Sequence, residues 1–205
     1  MSIEAEFLQY IENLPDGSVF GRVELSSRFE GHESQISRFL STLKDRGEVL
    51  PLGRGLWQCP RQSRFGVIFA SPQNVVAALE RTRGLFTVPA GAKALNEIGA
   101  STQLPMRHRY VVTKRVRPIT LGKVTIEFEY RHAFATMVGN LEKLSSAEKR
   151  SVARLWVALD YAGRKHALNQ KLAFRRAFDE LSKHAQQELL AVLTGKLEWA
   201  REILD

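Results

Sequence analysis

The chain has 205 residues, 44% of them hydrophobic and 25% charged, so it can form one large or two small globular domains and long disordered spans are not expected. Thirty lysines and arginines against 22 acids give a net charge of +8, which favours a polyanionic partner, either nucleic acid or an anionic membrane surface. A single cysteine, Cys59, excludes a disulfide within the chain and fits a reducing compartment. The acidic first residues and the lack of an apolar run of about 20 residues predict a cytoplasmic protein without a membrane span.

The first 60 residues predict three helices followed by a hairpin. Apolar residues recur at helical spacing over 2–14, 22–29 and 34–46, and Gly47 is suited to end the third helix. A short extended step separates the first two helices. The segment "EVLPLGRGLWQCP" then predicts a strand, a Gly-Arg-Gly turn and a second strand. This order of elements is typical of a winged helix-turn-helix, here over 1–60.

In such a domain the third helix enters the major groove and the hairpin lies over the adjacent backbone or minor groove. The residues predicted to face DNA from the third helix are Ser34, Gln35, Ser37, Arg38 and Ser41. Gln35 can read adenine and Arg38 guanine, while Arg54 at the hairpin tip can pair with phosphate or enter a narrow minor groove. The alternative is that these side chains form an ordinary solvated surface.

Residues 61–140 predict a small α+β domain. Residues 60–70 are predicted to be a connector, and helices are expected over 73–82 and 91–98. A strand is expected at "RYVVT" and a hairpin at "RPITLGKVTIEFEYR", with Ile126, Phe128 and Tyr130 on its buried face.

A basic run with no intervening acid lies within this domain, and two more arginines lie in the connector. These candidate phosphate or partner contacts are Arg61, Arg64, Arg107, Arg109, Lys114, Arg115, Arg117 and Lys123. Such a run can bind phosphate or an acidic protein, or it can be a solvated loop.

From about Leu141 the chain is predicted to be helical to its end, over 141–205. Ser145 and Glu148 have the spacing of a capping box, Gly163 interrupts the helix that follows, and Ser182 is suited to cap a later one. The predicted fold class is therefore α+β, with a winged helix-turn-helix, a small α+β middle domain and a C-terminal helical segment.

Several segments resemble the AbiEi-type antitoxin family, and in particular a branch of it described only as transcriptional regulators. They are "LPDGSVF", "LKDRGEVLPLGRGLWQCP", "VPAGAKALNEIGASTQLP", "RYVVT", "VTIEFEYR" and "ALDYAGRKH". The resemblance spans the whole chain, and the Pro-Ala-Gly segment after a winged helix is its most specific part.

The resemblance implies a bicistronic toxin–antitoxin or phage-defence operon. The antitoxin of such an operon binds inverted repeats in its own promoter through the winged helix, represses it, and counteracts a nucleotidyltransferase-like toxin through its C-terminal part. By this match Gln35 and Arg38 lie on the recognition helix and Arg54 on the wing. The chain is expected to be a monomer or weak dimer that pairs on double-stranded DNA. It departs from longer family members by ending soon after one α+β unit and a short helical tail.

Two other functions remain open from the sequence. One is a protein-interaction module that neutralises a toxin by direct binding, with the basic run as its contact surface. The other is a metal-dependent nuclease built on Glu127, Glu129 and His132, because paired carboxylates can hold a divalent cation. No nucleophile with an evident base and no phosphate-binding loop is present in the sequence. The prediction is therefore a protein that is not an enzyme and that needs no cofactor or metal.

Overall fold

A computed structural model describes residues 2–103 and 105–204 of the chain. Leu104 of the Pro-Ala-Gly segment and the predicted domain limits at 1 and 205 lie outside these residues. The helices are α1 Ile3–Glu12, α2 Arg22–Arg28, α3 Glu33–Asp45, α4 Pro72–Arg83, α5 Ala92–Glu97, α6 His132–Asn140, α7 Ser146–Asn169, α8 Lys171–Asp179, α9 Lys183–Val192 and α10 Arg201–Leu204, with a 3-10 helix at Gly195–Ala200. The strands are β1 Val19–Gly21, β2 Leu50–Gly53, β3 Leu56–Gln58, β4 Arg61–Ser63, β5 Gly66–Ile68, β6 Thr87–Pro89, β7 His108–Val112, β8 Ile119–Leu121 and β9 Val124–Tyr130.

The fold is mixed α+β with a C-terminal helical region, as predicted. Two compact units divide the described chain: unit 1 comprises 2–85 and 119–126, and unit 2 comprises 86–118 and 127–204. A compact unit is not by itself an independently folding domain, so the three predicted domains stay a prediction.

The helices of unit 1 begin and end where local chemistry predicts. Ser2 caps α1, since its Oγ accepts a hydrogen bond from the Ala5 N–H at 3.3 Å. The end of α3 is a Schellman motif: the Glu48 N–H bonds the Leu43 carbonyl at 2.9 Å while Gly47 adopts a φ of 75°. Phe7 of α1 is buried against the ring of Phe39 of α3, with 5.2 Å between centroids. These contacts fix α1 and α3 around one apolar core.

A three-stranded antiparallel sheet of order β1-β3-β2 closes this core. The buried strand β3 is central, with Val19 and Leu50 both paired to Gln58. Gly53 pairs with Leu56, so the turn that joins β2 to β3 consists of Arg54 and Gly55. The Arg22 N–H donates to the Gly55 carbonyl at 2.9 Å, which ties this turn to the start of α2.

The predicted connector over residues 60–70 is wrong in part, because β4 and β5 form a second hairpin there. Arg61 pairs with Ile68 and Ser63 with Gly66, leaving Arg64 and Phe65 as the turn. The sequence offers no Asn-Gly or Asp-Gly turn and no alternation of buried and exposed residues at this point, so the usual hairpin signals are missing.

Helix α4 also belongs to unit 1. The Arg81 guanidinium bonds Glu24 at 3.0 Å and the Val19 carbonyl at 3.1 Å. A Cβ on Gly21 would overlap the methyl group of Thr82, so the close approach of β1 and α4 requires glycine.

Unit 2 combines a small sheet with the C-terminal helices. In unit 2, β6 pairs antiparallel with β7, and β9 is the next strand of the sheet. The first residues of β9 pair antiparallel with β8, and these residues of both strands belong to unit 1. Helix α6 begins earlier than the helical segment predicted from Leu141. Ser145 and Ser182 cap α7 and α9 as predicted, and Gly163 interrupts α7 with a φ of 66°. The predicted buried face of β9 holds only for Ile126, because Phe128 is half-buried and Tyr130 is exposed.

No helix among residues 2–103 and 105–204 combines the length and the apolar character that a membrane crossing needs.

Candidate nucleic-acid interface

Helix α3 presents a continuous polar face to solvent. The apolar side of the helix consists of Ile36, Leu40 and Leu43, each 1% exposed. Their burial fixes the rotation of the helix about its axis. The opposite side is exposed and consists of the predicted residues Ser34, Gln35, Ser37, Arg38 and Ser41. The structure therefore brings these five side chains together on one accessible surface.

Arg54 lies at the tip of the first hairpin in an unusual backbone conformation. Its φ is 58°, and it is the one non-glycine residue with positive φ among the residues that the structure describes. Gly55 also has positive φ, at 76°, so the two-residue turn has the φ signs of a type I′ turn. Asparagine or glycine is favoured in this conformation, and an arginine there is strained. Because Arg54 adopts a backbone conformation that arginine disfavours, and lies at an exposed tip, it is a candidate functional residue.

Four of the arginines predicted as contacts lie in unit 1, and none of these four carries an ion pair within the part of the chain that the structure describes. They are Arg38, Arg54, Arg61 and Arg64, and all four are exposed. No aspartate or glutamate occurs from Val49 to Leu79, the segment that contains three of them. Arg64 lies over the ring of Phe65, 4.7 Å from the centroid. These cations are therefore available for an external anion.

The predicted basic run of residues 107–123 is different. Arg109 pairs with Glu127 at 3.0 Å and Arg107 approaches the same carboxylate at 4.0 Å. Arg115 lies over the Tyr130 ring at 5.5 Å, and Arg117 and Lys114 are exposed. Lys123 belongs to unit 1, in the turn between β8 and β9. The run thus includes arginines that are already partly neutralised.

Glu127 and Glu129, the two carboxylates of the nuclease hypothesis, both form ion pairs with arginines. Arg131 binds Glu129 through two nitrogens, at 2.8 and 3.0 Å, and also binds the buried Asp160 at 2.5 Å. The hydrogen bonds from Arg131 lower the pKa of Glu129, and burial opposes them. Among the described residues, no group of three or more His, Cys, Asp or Glu side chains is arranged to hold a metal ion. Sequence reasoning missed Arg131 and Asp160 because their pairing spans two distant segments.

Cys59 is a packed side chain beneath the first hairpin. It is 7% exposed, and its burial, with a smaller contribution from the charge of Asp16, raises the pKa of the thiol to about 11. Because the thiolate is the nucleophilic form, Cys59 is unreactive as a nucleophile at neutral pH.

Residues 7–151 match the model of a family of unknown function, DUF6088, and the chain belongs to this family. No curated protein matches the chain. A solved structure that resembles it is the RV2827C protein from Mycobacterium tuberculosis, with 14% sequence identity and a TM-score of 0.39 over 100% of this chain and 81% of that one.

Proposed function

We propose that the protein is a DNA-binding transcriptional repressor that acts on its own promoter through a winged helix-turn-helix in unit 1. The observation that carries this proposal is the exposed polar face of α3, followed directly by a hairpin with a strained arginine at its tip. In this arrangement α3 is the recognition helix and the hairpin of β2 and β3 is the wing.

The side chains have separate tasks in this proposal. Arg38 offers two parallel donors to the O6 and N7 of guanine, and Gln35 offers a donor and an acceptor to adenine. The serines are small enough to let the helix approach the groove. Arg54 meets a phosphate or the minor groove, where its charge raises affinity without reading sequence in the major groove.

Antitoxin activity belongs to the same proposal and rests on the resemblance of the sequence to AbiEi-type antitoxins. In this view unit 1 binds inverted repeats, with two copies paired on DNA, and unit 2 counteracts a nucleotidyltransferase-like toxin. The proposal requires no enzymatic activity and no cofactor.

A second candidate function is direct binding of a protein partner by unit 2. One observation favours it: a groove of about 710 Å³ beside α8 is rimmed by Arg154 and Arg176 and exposes the apolar Leu172. Co-purification with the product of the neighbouring gene, in the absence of DNA, would support this candidate.

The main test is fluorescence anisotropy with the DNA directly upstream of the coding sequence, against a scrambled fragment, over a salt series. A specific repressor should bind the upstream fragment at least about a thousandfold more tightly at physiological salt. Equal, weak and salt-sensitive binding to both fragments would contradict the proposal, because phosphate attraction alone gives that result.

A further inference from the structure

The hairpin of β4 and β5, hereafter hairpin two, has an unusual surface for a short ribbon. Its turn carries Phe65, which is 86% exposed. Val67 and Ile68 on β5 and the following Phe69 are also exposed. A cluster of exposed apolar side chains on a monomer usually marks a contact site.

Hairpin two is nevertheless held in place. Gln58, fully buried at the end of β3, donates from Nε2 to the Ile68 carbonyl at 2.9 Å and accepts from the Ala70 N–H at 3.0 Å. Near the tip, the Ser63 hydroxyl donates to the Gly66 carbonyl at 2.8 Å and accepts from the Phe65 N–H at 3.2 Å. Both the base and the turn are therefore ordered before any partner binds, which lowers the entropic cost of binding.

The charges around hairpin two select the partner. Arg61 begins β4, Arg64 stacks on Phe65, and the ring of Phe69 packs against Gly122 in the turn that also carries Lys123. No acidic residue occurs in 49–79 or in 119–126. Two copies meeting through this surface would bring like charges together, whereas a polyanion with flat apolar bases complements both the cations and the ring.

We propose that hairpin two is a second DNA contact, in which Phe65 enters the minor groove and wedges between base pairs while Arg61 and Arg64 contact the flanking phosphates. Apolar wedges of this kind unstack a base step and bend the duplex. This inference rests on the proposed DNA binding by unit 1. It adds to it a second point of contact and a deformation of the DNA.

The test measures affinity and bending together on the full-length protein. Upstream promoter duplexes carry a donor and an acceptor dye at their ends for energy transfer, and a parallel set carries 2-aminopurine to report unstacking. The proteins are the wild type, Phe65→Ala, Phe65→Leu and Leu168→Ala. Leu168 is a matched control because it is an exposed apolar residue, 50% accessible, that lies in unit 2 and outside the groove beside α8.

The expected result is that Phe65→Ala weakens binding about tenfold and abolishes both the bend and the rise in 2-aminopurine fluorescence. Phe65→Leu, which keeps an apolar wedge, should retain most of the bend, and Leu168→Ala should match the wild type. Because Phe65 is so exposed, all variants should unfold at the wild-type temperature.

Unchanged affinity and bending in Phe65→Ala, with binding still weakened by Arg38→Ala, would overturn this inference and leave the proposed repressor standing. Loss of self-association in Phe65→Ala, measured by analytical ultracentrifugation without DNA and accompanied by unchanged DNA affinity, would overturn it in favour of a contact between copies. A bend that depends on Phe65 on scrambled duplex as well as on promoter would support hairpin two and contradict specific repression. Absence of binding to any duplex at low salt would overturn both.

Discussion

Units 1 and 2 differ in how many of their arginines form ion pairs. Unit 1 contains nearly as many acids as lysines and arginines, so most of the excess positive charge lies in unit 2. Yet Arg38, Arg54 and Arg61 of unit 1 are exposed and carry no ion pair among the described residues, whereas several arginines of unit 2 bind carboxylates. The number of arginines free to bind an external anion therefore does not follow from the net charge of a unit. Unit 1 has the smaller net positive charge but offers the better candidate site for an anion.

The largest effect that we expect concerns the stability of unit 2. Asp160, whose side chain is 7% exposed, pairs with both Arg131 and Lys196. Asp160→Asn should lower the free energy of unfolding by about 3 kcal/mol, because it removes the buried negative charge that both cations contact, and hydrogen bonds to charged groups contribute about 1.5–3 kcal/mol each. Urea unfolding at pH 7 measures this loss. The control Glu180→Gln removes an exposed i,i+4 pair with Arg176 and should cost at most about 0.5 kcal/mol. Equal losses of unfolding free energy in the two variants would contradict the prediction that the buried ion pair contributes more than the exposed one.

The next effect concerns the unpaired arginine of α3. Arg38→Ala should weaken promoter binding by roughly 1 to 3 kcal/mol if the side chain reads a base, and should leave the unfolding temperature unchanged. Arg46→Ala is the control, since Arg46 is also exposed but lies at the C-terminal end of α3 and approaches Glu48 at 4.0 Å. If anisotropy titrations find that the two variants bind the promoter equally weakly, α3 binds DNA only through non-specific attraction of its positive charges.

Arg54 allows charge to be separated from backbone strain. Arg54→Ala should weaken binding and reduce the salt slope by about one if the arginine contacts phosphate. Arg54→Asn should change the slope equally while fitting the positive φ, so it should be the more stable of the two variants. Titrations at several salt concentrations and thermal unfolding measure both effects. A slope equal to that of the wild type in both variants would exclude a phosphate contact by this side chain.

The smallest effect is a pH dependence confined to unit 2. Because hydrogen bonds from Arg131 lower the pKa of Glu129 in the folded state, the carboxylate stabilises the fold above its unfolded pKa. This contribution is lost as pH falls through the lower, folded value. The difference in unfolding free energy between wild type and Glu129→Gln should thus shrink between about pH 5 and pH 3, by less than about 1 kcal/mol because solvent screens the pair. A difference that stays constant over this range would contradict the assignment.

The parts of the fold that sequence predicted are those with local causes. The apolar stripe at helical spacing over residues 34–46 predicted α3. Ser145 and Ser182 predicted helix starts, and the structure confirms both through a hydrogen bond to the serine side chain. Exposure of the polar face of α3 followed from the same stripe. Its role in DNA binding stays a prediction.

What sequence did not predict depends on pairing across the chain. The ion pair of Arg109 and Glu127 arises because β7 and β9 are neighbours, and strand order is not encoded in local periodicity. Hairpin two was missed because its residues are almost all exposed, so no buried face imposed an alternating pattern. Its position depends on Gln58, whose two backbone partners lie about ten residues away.

That glutamine has a consequence for how the protein can change. Gln58 grips main-chain atoms of residues 68 and 70, and every residue type except proline at 70 supplies those atoms. Side chains along hairpin two can therefore be exchanged while its anchor is kept. Hairpin two is thus a natural place to graft new sequences onto this scaffold, and a place where related proteins can diverge in what they touch without losing their fold.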